Sequence, residues 1–324
     1  MVAVANRALS TPVGDHGGAP GDEPTARRPE VHEVRCRTVL NRVKPPMPFR
    51  WSANPYRGCQ HACAYCYARP SHATYGMEGG ADFERHIFVK TNAPEVLRAE
   101  LRRPGWNREA VSVGTIVDPY QPVEGRYRIT RGMLAALAAA RTPATIITKN
   151  TMILRDIDVL RRLQARAGCA VFVSVTTLDA GLARRMEPGT PPPLKRLAAV
   201  ERLVAAGIPA GVLAAPLLPG MTDSAAALDL LAAAAAGHGA AFFAAGALRL
   251  GPNIDPWFYP FLRRERPDLL STYRRLYTGT GYAPPPYVAA LHDRVAALRD
   301  AYALPSGPPP LRPTEEPAQL GLAW

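Results

Sequence analysis

Three cysteines stand within eight residues of this 324-residue chain, in the segment Cys59-Gln-His-Ala-Cys63-Ala-Tyr-Cys66. The chain holds only two others, Cys36 and Cys169, so a chance clustering of buried cysteines is a poor explanation. Three thiolates in one loop can converge on a single soft metal centre. The spacing therefore predicts a metal site, and five cysteines in a chain of this length exclude a small disulfide scaffold.

Two kinds of metal centre are compatible with this segment. One is a structural zinc site of three cysteines and one histidine, with His61 or His72 as the fourth ligand. Zinc ligands usually come as two separated pairs, and the sequence offers no second pair. The other is a 4Fe-4S cluster that leaves one iron without a protein ligand and therefore open to a substrate or cofactor. Three cysteines fit the cluster better.

The elements that must position this segment alternate between short β-branched runs and helical patterns rich in Ala, Leu and Arg. We predict strands at residues 51–56, 111–117, 144–148, 170–177, 210–215 and 241–250. We predict helices at residues 93–102, 130–141, 153–167, 194–206 and 224–236, the first capped by Asn92 and the second by Thr130. Helices between successive strands specify parallel βαβ units. The fold class is α/β, as a partial (β/α)6 barrel or a doubly wound sheet, and either places function at the carboxyl ends of the strands.

Composition divides the chain into four parts. Residues 1–34 are predicted to be a disordered N-terminal arm, and residues 305–324 a proline-rich disordered tail. Between them lie a barrel over residues 35–250 and a helical C-terminal extension over residues 251–304.

The sequence shows neither a signal-peptide pattern nor an apolar run long enough for a bilayer, so we expect a cytoplasmic protein without membrane association. Neither a GxGxxG turn nor a P-loop motif is present, which disfavours dinucleotide and P-loop chemistry.

The net charge permits an anionic partner without requiring one. The formal charge is +12 at pH 7, from 39 basic and 27 acidic residues, and such a balance is typical of proteins that bind nucleic acids. Only four of the basic residues are lysines, however: Lys44, Lys90, Lys149 and Lys195. Together with the abundance of alanine and proline, this arginine bias is equally typical of a GC-rich genome.

The cysteine segment and several other motifs resemble one known family. The pattern CxxxCxxC with an aromatic residue, here Tyr65, before the last cysteine is the signature of the radical S-adenosylmethionine (radical SAM) superfamily. The stretch NPYRGCQHACAYCYARPSH resembles the spore photoproduct lyase-like, or DNA repair photolyase-like, branch of that superfamily. So do DFERHIFVKTNAPEVL, DPYQPVE, TKN, SVTTLD, EPGTP and APLLPGMTD, and these motifs are spread over residues 50–223, roughly half of the chain.

The resemblance implies a fold, two cofactors and a reaction. The fold is a partial (β/α)6 TIM-type barrel with the cluster loop after the first strand, and Cys59, Cys63 and Cys66 ligate a 4Fe-4S cluster. S-adenosylmethionine (SAM) chelates the remaining iron through its amino and carboxylate groups. An external one-electron reductant of the flavodoxin or ferredoxin type supplies the electron that cleaves SAM. The resulting 5′-deoxyadenosyl radical abstracts hydrogen from a substrate.

The resemblance also assigns SAM-binding residues. Tyr65 faces the adenine side of SAM or packs the cluster loop. Thr115 and Asp118, at the end of the second strand, are candidates for the amino end of SAM, although Asp118 before a proline is equally typical of a turn. Lys149, after the third strand, matches a lysine that contacts SAM, and its charge suits a carboxylate or ribose. Ser174, at the end of the fourth strand, matches a SAM-contacting serine or bonds to backbone.

One departure from that branch concerns the return of hydrogen to the product. Spore photoproduct lyase uses a further cysteine as hydrogen donor soon after its second strand, and residues 112–115 of this chain contain none. Tyr67 matches a tyrosine proposed to relay the radical in that enzyme, but here it lacks its usual thiol partner. We expect Cys169 to be a core residue, and Cys36 has no assigned role.

Three functions therefore remain open. The first is a radical SAM enzyme acting on a nucleic acid lesion or base in DNA or RNA, which the branch and the charge favour. The second is a radical SAM enzyme acting on a small molecule or peptide, and the third is a non-catalytic module that binds zinc or an iron–sulfur cluster. Nucleic acid contacts are expected from a C-terminal segment that is either a phosphate- and base-binding surface or an amphipathic helix pair capping the barrel. Its basic and aromatic residues are Trp257, Phe258, Tyr259, Arg263, Arg264, Arg266, Tyr273, Arg274 and Arg275.

Overall fold

The computed structural model describes residues 29–311 except 46, 48, 252, 253 and 280. Its strands are β1 (Glu30–Val34), β2 (Leu40–Arg42), β3 (Trp51–Ala53), β4 (Tyr56–Arg57), β5 (His86–Lys90), β6 (Val111–Val113), β7 (Ala144–Thr148), β8 (Cys169–Ser174), β9 (Ala210–Leu217) and β10 (Phe243–Ala247). Its α-helices are α1 (Ala81–Arg85), α2 (Ala93–Leu101), α3 (Glu124–Tyr127), α4 (Ile129–Ala139), α5 (Ile157–Ala167), α6 (Ala180–Met186), α7 (Pro193–Ala205), α8 (Ala225–Gly237), α9 (Asp255–Glu265), α10 (Leu270–Leu276) and α11 (Pro285–Ala301). Short 3-10 helices lie at Arg69–Tyr75, Thr151–Asp156 and Pro267–Leu269.

The main sheet has seven strands in the order β10-β9-β8-β7-β6-β3-β2. Six of them run parallel, and β2 is an antiparallel edge strand beside β3. The order of the parallel strands follows the sequence, because a helical connection separates each of the last five from its predecessor. The predicted alternation of strands and helices is confirmed, and the carboxyl ends of all six parallel strands meet at one edge.

The core lies between the sheet and the helices that cover it. The β8 strand is almost continuously apolar and buried, as expected of a parallel strand with both faces covered. Leu134 and Leu137 of α4 and Leu160 and Leu163 of α5 are completely buried at helical spacing. Each such leucine contributes about 1.5–3 kcal/mol through burial. This packing fixes the strands whose ends carry the site.

The first predicted strand, 51–56, is wrong in extent. The chain leaves the main sheet after Ala53, and β4 pairs instead with β5 in a second, three-stranded sheet of order β1-β5-β4. Pro55 lies at the change of sheet, where its carbonyl oxygen accepts a hydrogen bond from the backbone N–H of Lys90 over 3.2 Å. A proline has no N–H to donate to a ladder, which suits this position between two sheets.

The predicted arm 1–34 also needs correction at its end, because β1 pairs in parallel with β5 over its full length. The pairing partner is more than fifty residues away, so no local pattern announces this strand. The rest of that prediction, residues 1–28, lies outside the described residues, as do residues 312–324 of the predicted tail. The predicted helical C-terminal region is present as α9, α10 and α11.

The predicted helix caps have different outcomes. Asn92 precedes α2 as expected, but its side chain bonds the backbone N–H and C=O of Cys36 instead, over 2.8 and 2.9 Å. The predicted Thr130 cap is wrong: α4 begins one residue earlier, and the Thr130 hydroxyl donates to the Pro119 carbonyl. Within the described ranges, none of the helices has the length and apolar character that crossing a membrane would require.

Candidate metal centre

The three clustered cysteines lie in the loop that joins β4 to the 3-10 helix at Arg69–Tyr75. Cys59 and Cys63 are buried, Cys66 is half-buried, and all three are free thiols. The loop begins at Gly58, whose φ of +75° favours glycine and where a Cβ would lie only 2.5 Å from the His86 carbonyl oxygen. The glycine therefore lets the loop turn tightly against β5.

The thiols fit a cluster better than a single zinc ion. Sulfurs around one tetrahedral zinc ion lie about 3.8 Å apart, given Zn–S bonds of about 2.3 Å. Here the three sulfurs do not all lie within 4.8 Å of one another, and neither His61 nor His72 forms so close a group with two of them. A 4Fe-4S cluster presents a separate iron to each thiolate and so requires wider spacing. The predicted zinc site is thus not supported.

Burial makes bare thiolates unfavourable in this loop. Burial, with Asp118 nearby, raises the pKa of the Cys59 thiol to about 12. Burial also raises the pKa of Cys63 well above its ordinary value, although the nearby Lys149 lowers it. A bound metal centre deprotonates its cysteine ligands and supplies the compensating positive charge. The donor set and its surroundings therefore fit a cationic metal centre.

Arg69 holds the cysteine loop in place through hydrogen bonds to its backbone, a role that the sequence did not predict. Its guanidinium is almost completely buried and donates to the carbonyl oxygen of Cys63 from Nε and Nη2, over 3.1 and 2.9 Å. It also bonds the carbonyl oxygens of Gly79 and Gly80 and pairs with Glu84 at 2.5 Å. The only sequence signal for this role is the position of Arg69 three residues after Cys66, inside the quoted CYARPSH motif.

Two segments that are distant in sequence form hydrogen bonds with the backbone of the cysteine loop. Gln121, in the DPYQPVE motif, accepts a hydrogen bond from the Gln60 N–H and donates one to the Gly58 carbonyl oxygen, both over 3.0 Å. In the EPGTP motif, the Gly189 N–H donates to the His61 carbonyl oxygen over 3.2 Å. A Cβ on Gly189 would lie 2.0 Å from the Gln60 carbonyl oxygen, so this approach requires glycine. These motifs therefore position the cysteines.

Asp118 lies behind the cysteine loop, with both carboxylate oxygens occupied. One oxygen accepts hydrogen bonds from the Tyr120 N–H and the Thr148 hydroxyl, over 2.9 and 2.7 Å. The other accepts from the Lys149 N–H over 2.6 Å and lies 3.3 Å from Nδ1 of His61. Burial raises the pKa of Asp118, but His61 and these hydrogen bonds outweigh it and hold the pKa at about 2. Asp118 thus joins the ends of β6 and β7 to the loop.

Lys149 lies at the centre of a buried charge network at the carboxyl end of β7. Its Nζ lies over the Tyr65 ring, 5.8 Å from the ring centroid. The Tyr65 hydroxyl donates to Glu187, which is paired with the buried Arg196 at 2.6 Å. Burial lowers the pKa of Lys149, but Cys63, Glu187 and Asp118 together raise it above its usual value. The ammonium group is therefore charged and available beside the cysteine loop.

The carbonyl oxygens of Thr115 and Ser174 both accept hydrogen bonds from side chains elsewhere in the protein. The Thr115 hydroxyl accepts a hydrogen bond from the Asn54 amide over 3.1 Å, and its carbonyl oxygen accepts one from the Tyr67 hydroxyl. Ser174 is buried at the end of β8, where its carbonyl oxygen accepts a bond from Arg196 over 3.1 Å. The structure thus brings the predicted residues to the carboxyl edge of the sheet, and their contacts with SAM stay predictions.

Three exposed side chains, two aromatic and one basic, lie on the surface near the last cysteine of the loop. Tyr67 directly follows Cys66 and is 50% exposed, and Tyr282 is 51% exposed. Arg249, exposed just beyond the end of β10, lies over the Tyr282 ring, 4.5 Å from the ring centroid. Burial and the adjoining Cys66 raise the pKa of Tyr67 to about 12, and Arg249 is close enough to oppose that rise. We call these three side chains, Tyr67, Arg249 and Tyr282, the outer strip.

Of the two roles predicted for the C-terminal segment, the packing of its aromatic residues agrees with an amphipathic helix pair that caps the barrel. Phe258 and Tyr273 are completely buried, in an apolar cluster that also includes Cys63 and Tyr65. Arg266 pairs with Asp268 at 2.6 Å. The helices therefore use their aromatic residues to cap the barrel over the cysteine loop.

Cys169 is buried in the core, as predicted.

Comparison with known sequences identifies relatives over most of the chain. Residues 53–231 match the radical SAM superfamily. The chain is 43% identical over 289 residues to an uncharacterized protein of Mycobacterium tuberculosis, which covers 89% of this chain and 85% of that protein. It is 26% identical over 196 residues to an uncharacterized protein of Methanocaldococcus jannaschii, covering 60% of this chain and 70% of that protein.

Solved structures share the fold at low sequence identity. A variant of spore photoproduct lyase matches with a TM-score of 0.67 and 16% identity, covering 89% of this chain and 85% of that chain. Another variant, with bound SAM and a dinucleoside spore photoproduct, matches with a TM-score of 0.66 and 16% identity, covering 84% and 78%. The likeness confirms the predicted partial barrel over the doubly wound alternative.

Proposed function

Because this chain belongs to the radical SAM superfamily, we propose that it is an enzyme that abstracts hydrogen from a lesion or modified base in a nucleic acid. Its cofactors are a 4Fe-4S cluster and SAM. When bound, they supply a carbon-centred radical through one-electron cleavage of SAM. An external reductant of the flavodoxin or ferredoxin type supplies that electron.

The chain's own residues hold and shield these cofactors. Cys59, Cys63 and Cys66 would ligate the cluster, in a loop whose backbone is held by hydrogen bonds from Arg69, Gln121 and Gly189. Lys149 offers a positive charge to the carboxylate of SAM, and its Nζ lies over the ring of Tyr65, a residue of the cysteine loop. The aromatic residues of the C-terminal helices cover the loop and exclude water from it.

The outer strip is the observation that supports a nucleic acid as the class of substrate. Two half-exposed tyrosines flank an exposed arginine, and the strip begins at the residue after a cluster cysteine. Aromatic faces stack on bases and arginine binds phosphate, which is how proteins hold single-stranded nucleic acid. The charge of +12 agrees with such a partner. One of the matching spore photoproduct lyase structures contains a dinucleoside photoproduct, which fits the same class.

Tyr67 has a second proposed role within the strip. It is our candidate for relaying the radical, because its phenol adjoins Cys66 and faces outward. Its hydroxyl donates to the Thr115 carbonyl, which orients the ring. A Tyr67→Phe variant keeps the stacking face and loses the O–H, so it separates binding from relay.

The first experiment tests the cofactors. Anaerobically reconstituted protein should contain about four irons per chain, and with dithionite it should release 5′-deoxyadenosine from SAM. Replacing Cys59, Cys63 or Cys66 by alanine should abolish both signals. Cys36→Ser is the control, since this half-buried thiol lies outside the loop and should leave iron content unchanged. Iron-loaded protein that cannot cleave SAM would contradict the enzymatic proposal.

The second experiment tests the substrate class. Binding of single-stranded oligonucleotides should weaken steeply with salt, and Arg249→Gln or Tyr282→Leu should weaken it further by on the order of tenfold. Arg161→Gln, an exposed arginine on α5, is the matched control. Deuterium transfer from a labelled oligonucleotide into 5′-deoxyadenosine would identify the abstracted hydrogen. Transfer only from small molecules or peptides would support the alternative radical SAM function instead.

A further inference from the structure

Three side chains on the small sheet direct metal-binding atoms at one another. Nε2 of His32 on β1 lies 3.0 Å from Nδ1 of His86 on β5. One carboxylate oxygen of Glu30 lies 3.6 Å from the His32 nitrogen and the other 3.6 Å from the His86 nitrogen. Over the described part of the chain, no other trio of His, Cys, Asp or Glu brings its ligand atoms within 4.8 Å of one another. We infer that Glu30, His32 and His86 bind one divalent transition-metal ion, with Zn²⁺ as the best-fitting ion.

The spacing of the three atoms suits such an ion. Ligands about 2.0–2.1 Å from a tetrahedral zinc ion are roughly 3.3–3.4 Å apart. The separations of 3.0 and 3.6 Å lie on either side of this value, so shifts of a few tenths of an ångström complete the geometry. Two imidazoles and a carboxylate are a common zinc donor set, which leaves a fourth position for water. Without an ion, the two facing nitrogens can share only a single N–H···N bond.

The strand register builds the trio. Glu30 stands opposite His86 in the parallel ladder, and His32, two residues further along β1, points to the same face. The His32 ring is held by stacking on Phe88, with ring centroids 4.7 Å apart, and its plane lies within 24° of the plane of the His86 ring that it faces. The other His86 nitrogen lies 3.7 Å from Asp82, and metal-bound histidines commonly face a carboxylate in this way.

The ion would act as a brace for the cysteine loop. β5 also pairs with β4, which ends two residues before Cys59. The Cys59 N–H donates to the Phe83 carbonyl oxygen over 2.9 Å, and the His86 carbonyl oxygen accepts from His72 over 3.0 Å. An ion joining β1 to β5 would therefore stiffen the sheet that backs this loop. The inference does not depend on the proposed substrate or reaction.

The test measures zinc on protein that already holds its iron. Calorimetric titration of the cluster-loaded protein with Zn²⁺ should show one site per chain, and desalted samples should contain one zinc by elemental analysis. About four irons per chain in the same sample exclude zinc at the cysteines. His32→Gln and Glu30→Gln should each abolish the site or weaken it at least tenfold. Asp82→Asn should weaken it on the order of 10–100-fold.

Controls separate this site from general surface binding. Glu30 is 65% exposed, so Glu30→Gln should fold normally, and its iron content and melting curve should match those of the parent. His292→Ala removes an exposed histidine on α11 and should leave zinc binding unchanged. Zinc should raise the melting temperature of the parent but not of His32→Gln. Absence of stoichiometric binding, or equal binding by the parent and both trio variants, would overturn the inference.

Discussion

Arg69 donates two hydrogen bonds to the carbonyl oxygen of Cys63, from Nε over 3.1 Å and from Nη2 over 2.9 Å. The arginine is 3% exposed, so a charged donor fixes the backbone of the central cysteine inside the protein. Hydrogen bonds to charged groups are stronger than neutral ones, and the planar guanidinium directs both at one oxygen. The loop geometry therefore depends on a residue outside the cysteine motif.

Replacing Arg69 by lysine should weaken the loop even though the charge is kept. A lysine cannot reproduce the paired donors, so we expect the free energy of unfolding to fall by about 2 kcal/mol. The cluster should also be lost faster to a chelator, which absorbance and iron analysis can follow over time. Glu84→Gln is the control, because it removes the ion pair of Arg69 but leaves the bonds to Cys63. Equal cluster lifetimes in both variants would show that these bonds are unimportant.

Replacing Glu187 by glutamine should be strongly destabilising. The substitution leaves Arg196, which is 1% exposed, without its anionic partner. Breaking a buried pair in this way costs about 3–5 kcal/mol. Denaturant unfolding measures the loss. Arg185→Gln, which removes a more exposed pair with Glu265, should cost no more than about 1 kcal/mol.

Replacing Lys149 by glutamine should reduce SAM affinity. The raised pKa keeps this lysine charged at neutral pH, and a charged hydrogen bond contributes about 1.5–3 kcal/mol, so we expect a loss of roughly 10–150-fold. Anaerobic equilibrium dialysis against labelled SAM gives the dissociation constant. Lys195→Gln, an exposed lysine on α7, should bind like the parent. Unchanged affinity with full iron content would remove Lys149 from the SAM site.

Replacing Gly189 by alanine should disturb the cysteine loop from outside. The added Cβ would meet the Gln60 carbonyl oxygen at 2.0 Å, and relieving this clash should cost about 1–3 kcal/mol. Iron content after reconstitution should fall together with stability. Gly237→Ala is the matched control, since a Cβ added to this helical residue would meet no neighbouring atom within 4 Å. That substitution should be neutral or slightly stabilising.

The sequence predicted the parallel strands and helices well because their patterns are local. Short apolar runs separated by amphipathic helices place β6 to β10 in order. Ser224, at the predicted start of α8, caps that helix by accepting a hydrogen bond from the Ala227 N–H over 3.2 Å. The prediction failed where pairing is distant. β1 is recognisable only beside β5, and residues 51–56 divide between two sheets because β4 finds its partner there.

By itself, the sequence predicted a metal centre at the cysteine segment. Cys59, Cys63 and Cys66 are close in sequence, so any compact loop brings their thiols together, and Lys149 follows a strand whose direction fixes its place. Only the tertiary structure decided what holds them. Tyr65 and Glu187 are 122 residues apart, and their hydrogen bond exists because α6 ends beside the loop. Burial and hydrogen bonding across such separations depend on how the elements pack, which no local pattern encodes.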